Sequence, residues 1–327
     1  MALSHEFVST QNPQRSGAPI HIAFGVDARF APAMGVTITS ILVNNPHINI
    51  VFHVITGHIR PDDLHRLKSL AKWHAVELQL HIIDSQTLQA LPDPTAFSLS
   101  YAVYNRLLIG NLLRGVAQRV LYLDSDIVCL GDISGLNDLD MGDAIAAVVT
   151  DASPTAAQHN AEIGSSQPAS YFNSGVLYID IARWNEHDIT RKAIHLLTQS
   201  GRQFKFFDQD ALNVILLGKT VLLDTKWNTL YWKLGSDHRI PAETVFLHYA
   251  LDKPWYEWSP CFHDPSFKKY RDRSPWADCS MYDSSRDYPR TRKDKKTYAR
   301  HLLKTGDILG ASRWYLKYLA TRKRPPS

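Results

Sequence analysis

Up to about residue 250, short runs of β-type apolar residues alternate with segments of helical periodicity. The first run, IHIAFGV at 20–26, reads as a buried strand that stops at Asp27. TITSILVNN at 37–45 follows as a helix, and IVFHVIT at 50–56 as a second strand. Pro61 opens a helix whose Leu64, Leu67, Leu70 and Trp73 fall at helical spacing, and 75–84 is a third strand. Alternation at this length predicts a parallel sheet covered on both faces, an α/β fold. Further on, 101–113, 187–199 and 208–218 read as helices, the last stopped by Gly218. The stretches 119–130, 143–150, 219–224 and 244–250 read as strands, and 173–184 as a strand running into a helix.

Ligands of such sheets gather at the carboxyl ends of the strands. Asp27, the pair Asp124 and Asp126, Asp151 and His248 all stand there. The triplet Asp124-Ser125-Asp126 is the central feature. Its spacing alone decides nothing, because Asp138-Leu139-Asp140 and Asp208-Gln209-Asp210 share it. Its surroundings do decide. VLYL before it and IVCL after it call for burial, and two buried like charges need a compensating cation. Carboxylate oxygens suit Mn²⁺ or Mg²⁺, and a histidine ligand at 248 shifts the balance toward Mn²⁺. Lys253, five residues on, stands where it can neutralise a diphosphate. The plainer alternatives are a solvated turn for the aspartates and a structural role for His248.

Several chemistries lack their sequence marks. There is no GxxxxGK[ST], no GxGxxG opening a helix and no GxSxG. Cys129, Cys261 and Cys279 form no CxxC pair and are too few for a disulfide framework, which fits a reducing cytoplasm. The start, 1–19, reads as a loose leader without the apolar core of a signal peptide. No apolar run is long enough to span a bilayer. A domain over 20–264 and a basic C-terminal region over 265–327 are expected. From 264 onward 17 Lys/Arg stand against 7 Asp/Glu, whereas the rest has 19 against 25. A basic appendage on a weakly acidic body suggests an anionic surface as partner. Within it, 298–324 has helical periodicity with Trp314, Tyr315 and Tyr318 among Lys and Arg. That composition fits a helix in a membrane interface, or a terminal helix packed on the body. No nucleic-acid motif accompanies the charge.

Six blocks in order, FGVD (24–27), YNRLLIG (104–110), LYLDSDIV (121–128), YFNSGVLYID (171–180), FDQDALN (207–213) and LHYALDKPW (247–255), resemble glycosyltransferase family 8. The likeness is strongest to its bacterial lipopolysaccharide core glucosyl- and galactosyltransferases and covers about 20 to 280. The resemblance implies a GT-A fold, meaning a Rossmann-like, mixed, mostly parallel sheet, here with a small basic C-terminal appendage. It also implies a UDP-glucose or UDP-galactose donor, a lipopolysaccharide core or other surface glycan as acceptor, Mn²⁺ dependence (Mg²⁺ as the alternative) and retention of configuration. On matching positions, Asp124, Asp126 and His248 would hold the metal, with Ser125 beside them at the donor. Gly25, Val26, Asp27, Ala28, Arg29 and Phe30 would form the uracil and ribose pocket. Arg106 would contact the sugar or a neighbouring carboxylate, and Lys253 would bind the diphosphate. Asp151, Asn173, Asp208 and Gln209 would hold the hexose, with Asp208, Gln209 and Lys253 carrying the catalysis. Two departures stand out. Ala28 replaces a second acidic residue, and Ala250-Leu251 replace the usual glycine.

Retention asks for a covalent carboxylate intermediate, for which Asp208 is the candidate, or for front-face departure and attack. Acceptor choice is expected in 152–170 and beyond 255. The expected location is the cytoplasm, with peripheral contact on the inner face of the inner membrane left open. Two rivals remain. One is a haloacid-dehalogenase-type phosphohydrolase, whose aspartate pair belongs on a first strand. The other is a non-catalytic saccharide-binding scaffold for envelope assembly.

Overall fold

The computed structural model describes residues 3–8, 15, 17–94, 100–151, 156–163, 171–199, 204–234, 239–256, 259, 261–262, 264–279 and 292–321. In chain order its elements are β1 (Leu3–Val8), β2 (Ile20–Gly25), α1 (Ala31–Asn44), β3 (Ile50–Thr56), α2 (Pro61–His74) and β4 (Glu77–Ile83). After α3 (Ile109–Leu112) come β5 (Arg119–Leu123), β6 (Ile127–Cys129), β7 (Ala146–Thr150), α4 (Ala156–Glu162) and β8 (Phe172–Asp180). Then follow α5 (Ile181–Glu186), α6 (Ile189–Gln199), α7 (Phe207–Ile215), β9 (Thr220–Leu222), β10 (Thr229–Leu230) and β11 (Phe246–His248). The chain continues through α8 (Pro265–Arg271), α9 (Arg292–Lys304) and α10 (Ile308–Ala320).

The main sheet has the order β1-β4-β3-β2-β5-β8-β7-β9. β4, β3, β2 and β5 are parallel, as the alternation predicts, and β7 is parallel to β9. β8 runs antiparallel to both β5 and β7, so the sheet is mixed, as expected of a GT-A fold. The period-2 alternation of the strands builds two cores. Ile22, Phe24, Phe52 and Leu121 face α1 and α2 on one side. Ala23, Ile55, Tyr122 and Leu177 face Leu107, Trp184 and Leu212 on the other.

Four local expectations change. Leu3–Val8, read as part of a loose leader, forms β1 and pairs antiparallel with β4. It covers the unpaired edge that β4 would otherwise present. Residues 101–108 form a 3₁₀ helix, with only Ile109–Leu112 α-helical. Aromatic and β-branched residues (Tyr101, Val103, Tyr104) give that stretch weak α preference. The run 119–130 is two strands. β6 leaves the main sheet after the acidic triplet and joins a second sheet, β10-β11-β6. Finally, 298–320 is no single helix. Gly306, at φ +87°, breaks it, and Asp307 caps α10 by accepting from Gly310 N at 2.8 Å.

The segment after 264 is anchored to the body. Trp276 is fully buried over α1, and its indole N–H donates to Asp63 Oδ1 at 2.8 Å. Gly35 makes room for it: a Cβ there would stand 2.1 Å from the Trp276 ring. The three cysteines are unbridged. No helix among the described residues is long and apolar enough to cross a membrane.

Candidate active site

The acidic triplet sits where β5 ends and the chain crosses to β6. Its backbone is pinned from both sides. Asp124 N–H donates to Gly175 O at 2.8 Å. The Thr37 hydroxyl of α1 lies 3.0 Å from Ser125 O and 2.7 Å from Ile127 O. Tyr249 N–H donates to Asp126 O at 2.9 Å, which fixes the strand carrying His248 against the triplet. Asp124, Asp126 and His248 thereby converge, with ligand atoms all within 4.8 Å of one another. His248 Nε2 lies 3.3 Å from Asp126 Oδ1 and 3.9 Å from Asp124 Oδ2.

A bulge in β8 completes this wall. Val148 of β7 pairs with Leu177 and the next residue, Val149, with Asn173, so Ser174, Gly175 and Val176 are extra on β8. The bulge brings Ser174 against Arg106 and Gly175 against the triplet, while Val176 stays in the core beside Leu123. A Cβ on Gly175 would stand 2.4 Å from His248 Cε1 and 2.9 Å from Asp124 Oδ2. Only glycine leaves the imidazole and carboxylate free to face each other.

The charges are tightly paired. Arg106, buried, donates through Nη2 to Asp124 Oδ1 at 2.9 Å and through Nη1 to Ser174 O at 2.6 Å. Its guanidinium lies over the Tyr122 ring at 4.7 Å, and the Tyr122 hydroxyl donates to Asp124 Oδ1 at 2.8 Å. Asp208 Oδ2 is 2.9 Å from Arg106 Nε, whose N–H is directed at Val103 O, so this contact is ionic rather than hydrogen-bonded. Burial pushes the Asp208 carboxyl up to about 7, against the pull of Arg106 and with the push of Asp124. Burial also disfavours charge on Asp126, but Lys253 and His248 outweigh it and hold that carboxyl well below the usual range. Lys253 donates to Asp126 Oδ2 and to the carbonyls of Tyr249 at 2.8 Å and Ala250 at 2.9 Å.

These groups open onto a cavity of about 510 Å³. Gly25, Val26, Asp27, Phe30, Arg106, Asp124, Ser125, Asp126, Asp151, Asn173, Asp208, Gln209, His248 and Lys253 line it. Of the residues singled out from the sequence, Ala28 and Arg29 lie outside the lining. Arg29 instead pairs with Asp27, Nη2 to Oδ2 at 2.9 Å, and Asp27 Oδ1 also accepts the N–H of Arg29 and of Phe30, fixing the entry to α1. The Gln209 carbonyl accepts Ser174 N–H at 3.0 Å, while its amide donates to the Tyr171 hydroxyl at 3.0 Å.

Sequence reasoning missed Ser100, Ala102, Val103, Ser174, Phe206, Leu230 and Trp232 in the lining, and Asn228, whose Oδ1 meets His248 Nδ1 at 2.9 Å. Ser174 was within sight in the NSG triplet, but the others carry no mark in the sequence. Ala250 and Leu251, noted as departures, both line the cavity. Of the stretch 152–170, where acceptor choice is expected, residues 156–162 form α4. Residues 152–155 and 164–170 lie outside the described residues.

Two carboxylates and an imidazole with converging ligand atoms, two of the three almost fully buried, are a donor set that a hard divalent cation fits. The cradle at Gly175 adds that the space between them is kept clear.

The profile of glycosyl transferase family 8 matches residues 21–259, and that of its C-terminal region residues 264–322. A lipopolysaccharide 1,2-glucosyltransferase of Escherichia coli K12 is 37% identical over 300 residues, covering 87% of this chain and 85% of its own. A lipopolysaccharide 1,3-galactosyltransferase of Salmonella typhimurium is 31% identical over 309 residues, 91% of this chain and 90% of its own. Among solved structures, the galactosyltransferase LgtC, in complex with donor and acceptor sugar analogs, superposes with a TM-score of 0.66 at 22% identity, over 78% of this chain and 96% of that one.

Proposed function

The chain belongs to glycosyltransferase family 8 and is a hexosyltransferase, and from that premise we propose that it transfers glucose or galactose from a UDP-sugar to a lipopolysaccharide core or related surface glycan with retention of configuration. The observation that carries this reading is the convergence of Asp124, Asp126 and His248 beside Lys253 on the wall of the large cavity. Mn²⁺ is the proposed ion, because a mixed nitrogen and oxygen donor set favours it over Mg²⁺. Held by Asp124, Asp126 and His248, such a cation supplies charge neutralisation to a departing diphosphate.

The chain's own residues divide the remaining work. Lys253 shares its ammonium between Asp126 and two carbonyls at the cavity wall, where it can add a second positive charge for the diphosphate. Gly25, Val26, Asp27 and Phe30 line the part proposed for uridine, with Ala28 and Arg29 shaping the turn behind it. Asp208 has a buried oxygen without a hydrogen bond of its own. It suits a hexose hydroxyl, as do Asp151, Asn173 and Gln209 nearby. We favour the front-face route, in which the leaving phosphate oxygen takes the acceptor's proton and no separate protein base is used. The Arg106 contact supports this, since it holds Asp208 as a fixed partner rather than a free nucleophile.

The exposed face of α10 is the proposed membrane contact, placing the enzyme peripherally on the inner face of the inner membrane. Trp314, for which the sequence left an interface or a packed helix open, is buried against Tyr298, ring centroids 5.3 Å apart. Ile308, Leu309, Tyr315, Leu316 and Leu319 are the outward apolar residues of α10, with Arg313 and Lys317 among them. This composition suits an anionic lipid surface.

The test is a panel of UDP-sugars with Mn²⁺, followed for UDP release. Release from UDP-glucose or UDP-galactose that EDTA abolishes is the expected result. Phosphate release would mark a hydrolase, and no turnover with any donor a scaffold.

A further inference from the structure

The side chain behind His248 is Asn228, only 4% exposed and outside the cavity lining. Its position is built locally. Asp224 caps the short 3₁₀ turn Thr225–Asn228 by accepting from Lys226 N at 2.9 Å. Trp227 anchors the turn against Phe246, ring centroids 5.9 Å apart. The chain then enters β10, where Leu230 pairs with His248 itself.

The hydrogen bonds around Asn228 have one consistent direction, and a backbone donor sets it. Gly175 N–H can only donate, and its acceptor at 3.0 Å is Asn173 Oδ1. The Asn173 amide is fixed from its other end as well. Its Nδ2 donates to Gln209 Oε1 at 3.3 Å, an oxygen identified by the 3.0 Å bond it accepts from Ser174 N–H. Asn173 Oδ1 therefore also accepts the 2.9 Å bond from Asn228 Nδ2. The oxygen of Asn228 is then the atom facing His248 Nδ1 at 2.9 Å, and it can only accept. Nδ1 must carry the ring proton, and in the neutral ring Nε2 presents a bare lone pair to Asp126 and Asp124.

We propose that Asn228 is a positioning residue for the cation site: through Asn173 and the bulge in β8 it locks His248 in the tautomer whose Nε2 can ligate. The proposal rests on the cation reading of Asp124, Asp126 and His248. Outer partners of ligating imidazoles act this way in general, holding ring orientation and tautomer together.

The experiment has two parts. In mildly alkaline buffer, ¹⁵N-histidine correlation spectra of the cation-free wild type should show a His248 ring protonated at Nδ1 alone, with the resonance assigned by its loss in His248→Gln. A ring protonated at Nε2 would overturn the proposal. Calorimetric titration with Mn²⁺ alone should then show Asn228→Leu weakened about 10–100-fold, and Asn228→Asp, which keeps an acceptor for Nδ1–H, weakened much less. Asn228→Leu binding within about twofold of wild type would also overturn it. If Asn228→Leu does not fold, the wild-type ring spectrum decides alone. Failure of the wild type to bind Mn²⁺ would sink the cation reading, and the proposal with it. A wild type that binds Mn²⁺ but carries its proton on Nε2 would overturn the role of Asn228 only.

Discussion

The Tyr249 hydroxyl donates a 2.6 Å hydrogen bond to Asp264 Oδ2, tying the residue next to His248 to the cap of α8. Both groups are buried. Through this bond the segment after 264 braces the strand that carries the site histidine. Tyr249→Phe removes the donor and leaves a buried carboxylate oxygen short of a partner, at a cost of about 1–3 kcal/mol. Thermal unfolding should show a midpoint several degrees lower. An unchanged midpoint would mean that the bond contributes nothing to stability.

Of the two carboxylates in the set, Asp126 faces His248 on one oxygen and Lys253 on the other. Asp126→Asn keeps its shape and removes its charge. Mn²⁺ affinity should fall by more than the roughly 10–100-fold typical of outer partners, and Mn²⁺-dependent UDP release should fall with it. Circular dichroism should stay as in the wild type, because Lys253 retains both carbonyl partners. Full turnover by this variant in EDTA would remove the cation from the reaction.

Gly175 leads to a separate expectation. Gly175→Ala adds one methyl group, and its Cβ would meet His248 Cε1 at 2.4 Å. Overpacking of this kind typically costs about 1–3 kcal/mol. The imidazole must move, so cation affinity should drop more steeply than stability. Equal Mn²⁺ affinity in calorimetry would show that the wall can yield without moving the ring.

The strand ends were legible because buried parallel strands are apolar runs, and a polar residue that interrupts or ends one stands out. That is how Asp27, Asp124, Asp126, Asp151 and His248 were found, and all five line the cavity. The antiparallel insertion of β8 was not legible, since a strand buried on both faces reads the same in either direction. β6, β10 and β11, two or three residues each, are too short to carry a period. Asn228 lay hidden for the same reason. Its role depends on a 3₁₀ turn meeting a bulge, and neither leaves a repeating pattern. Arg106 was expected against the sugar or a neighbouring carboxylate, and no sequence pattern says that it meets Asp124 and Asp208 together.

His53 sits at the centre of a row across the sheet, with Nε2 2.9 Å from His21 Nδ1 and Nδ1 3.2 Å from His81 Nε2. Burial, with added repulsion from His21 and His81, lowers its pKa from 6.5 to about 2. The unfolded chain therefore takes up a proton below about pH 6.5 that the folded chain refuses. Stability should fall as pH drops from there, by up to about 1.4 kcal/mol per pH unit for this one group. Denaturant unfolding at several pH values should show a shallower decline for His53→Phe than for the wild type. Identical slopes would mean that His53 titrates alike in both states.

Leu309 of α10 is 86% exposed, Leu316 65% and Leu319 55%, an apolar row that the partner helix α9 does not cover. Arg313 and Lys317 are exposed alongside it, and Lys317 Nζ lies 4.0 Å from the Trp314 ring centroid. If this face meets anionic lipid, each leucine contributes by leaving water, and each added carboxylate is repelled. Leu309→Glu and Leu316→Glu should each weaken binding to anionic vesicles by about tenfold or more, and together they should abolish it. Binding should also weaken with salt, because the basic residues lie in screened solvent. Turnover on a soluble acceptor should be unaffected, as neither leucine lines the cavity. Vesicle co-sedimentation beside a UDP-release assay separates the two effects. Undiminished sedimentation of the double variant would leave the hairpin as a packing element and nothing more.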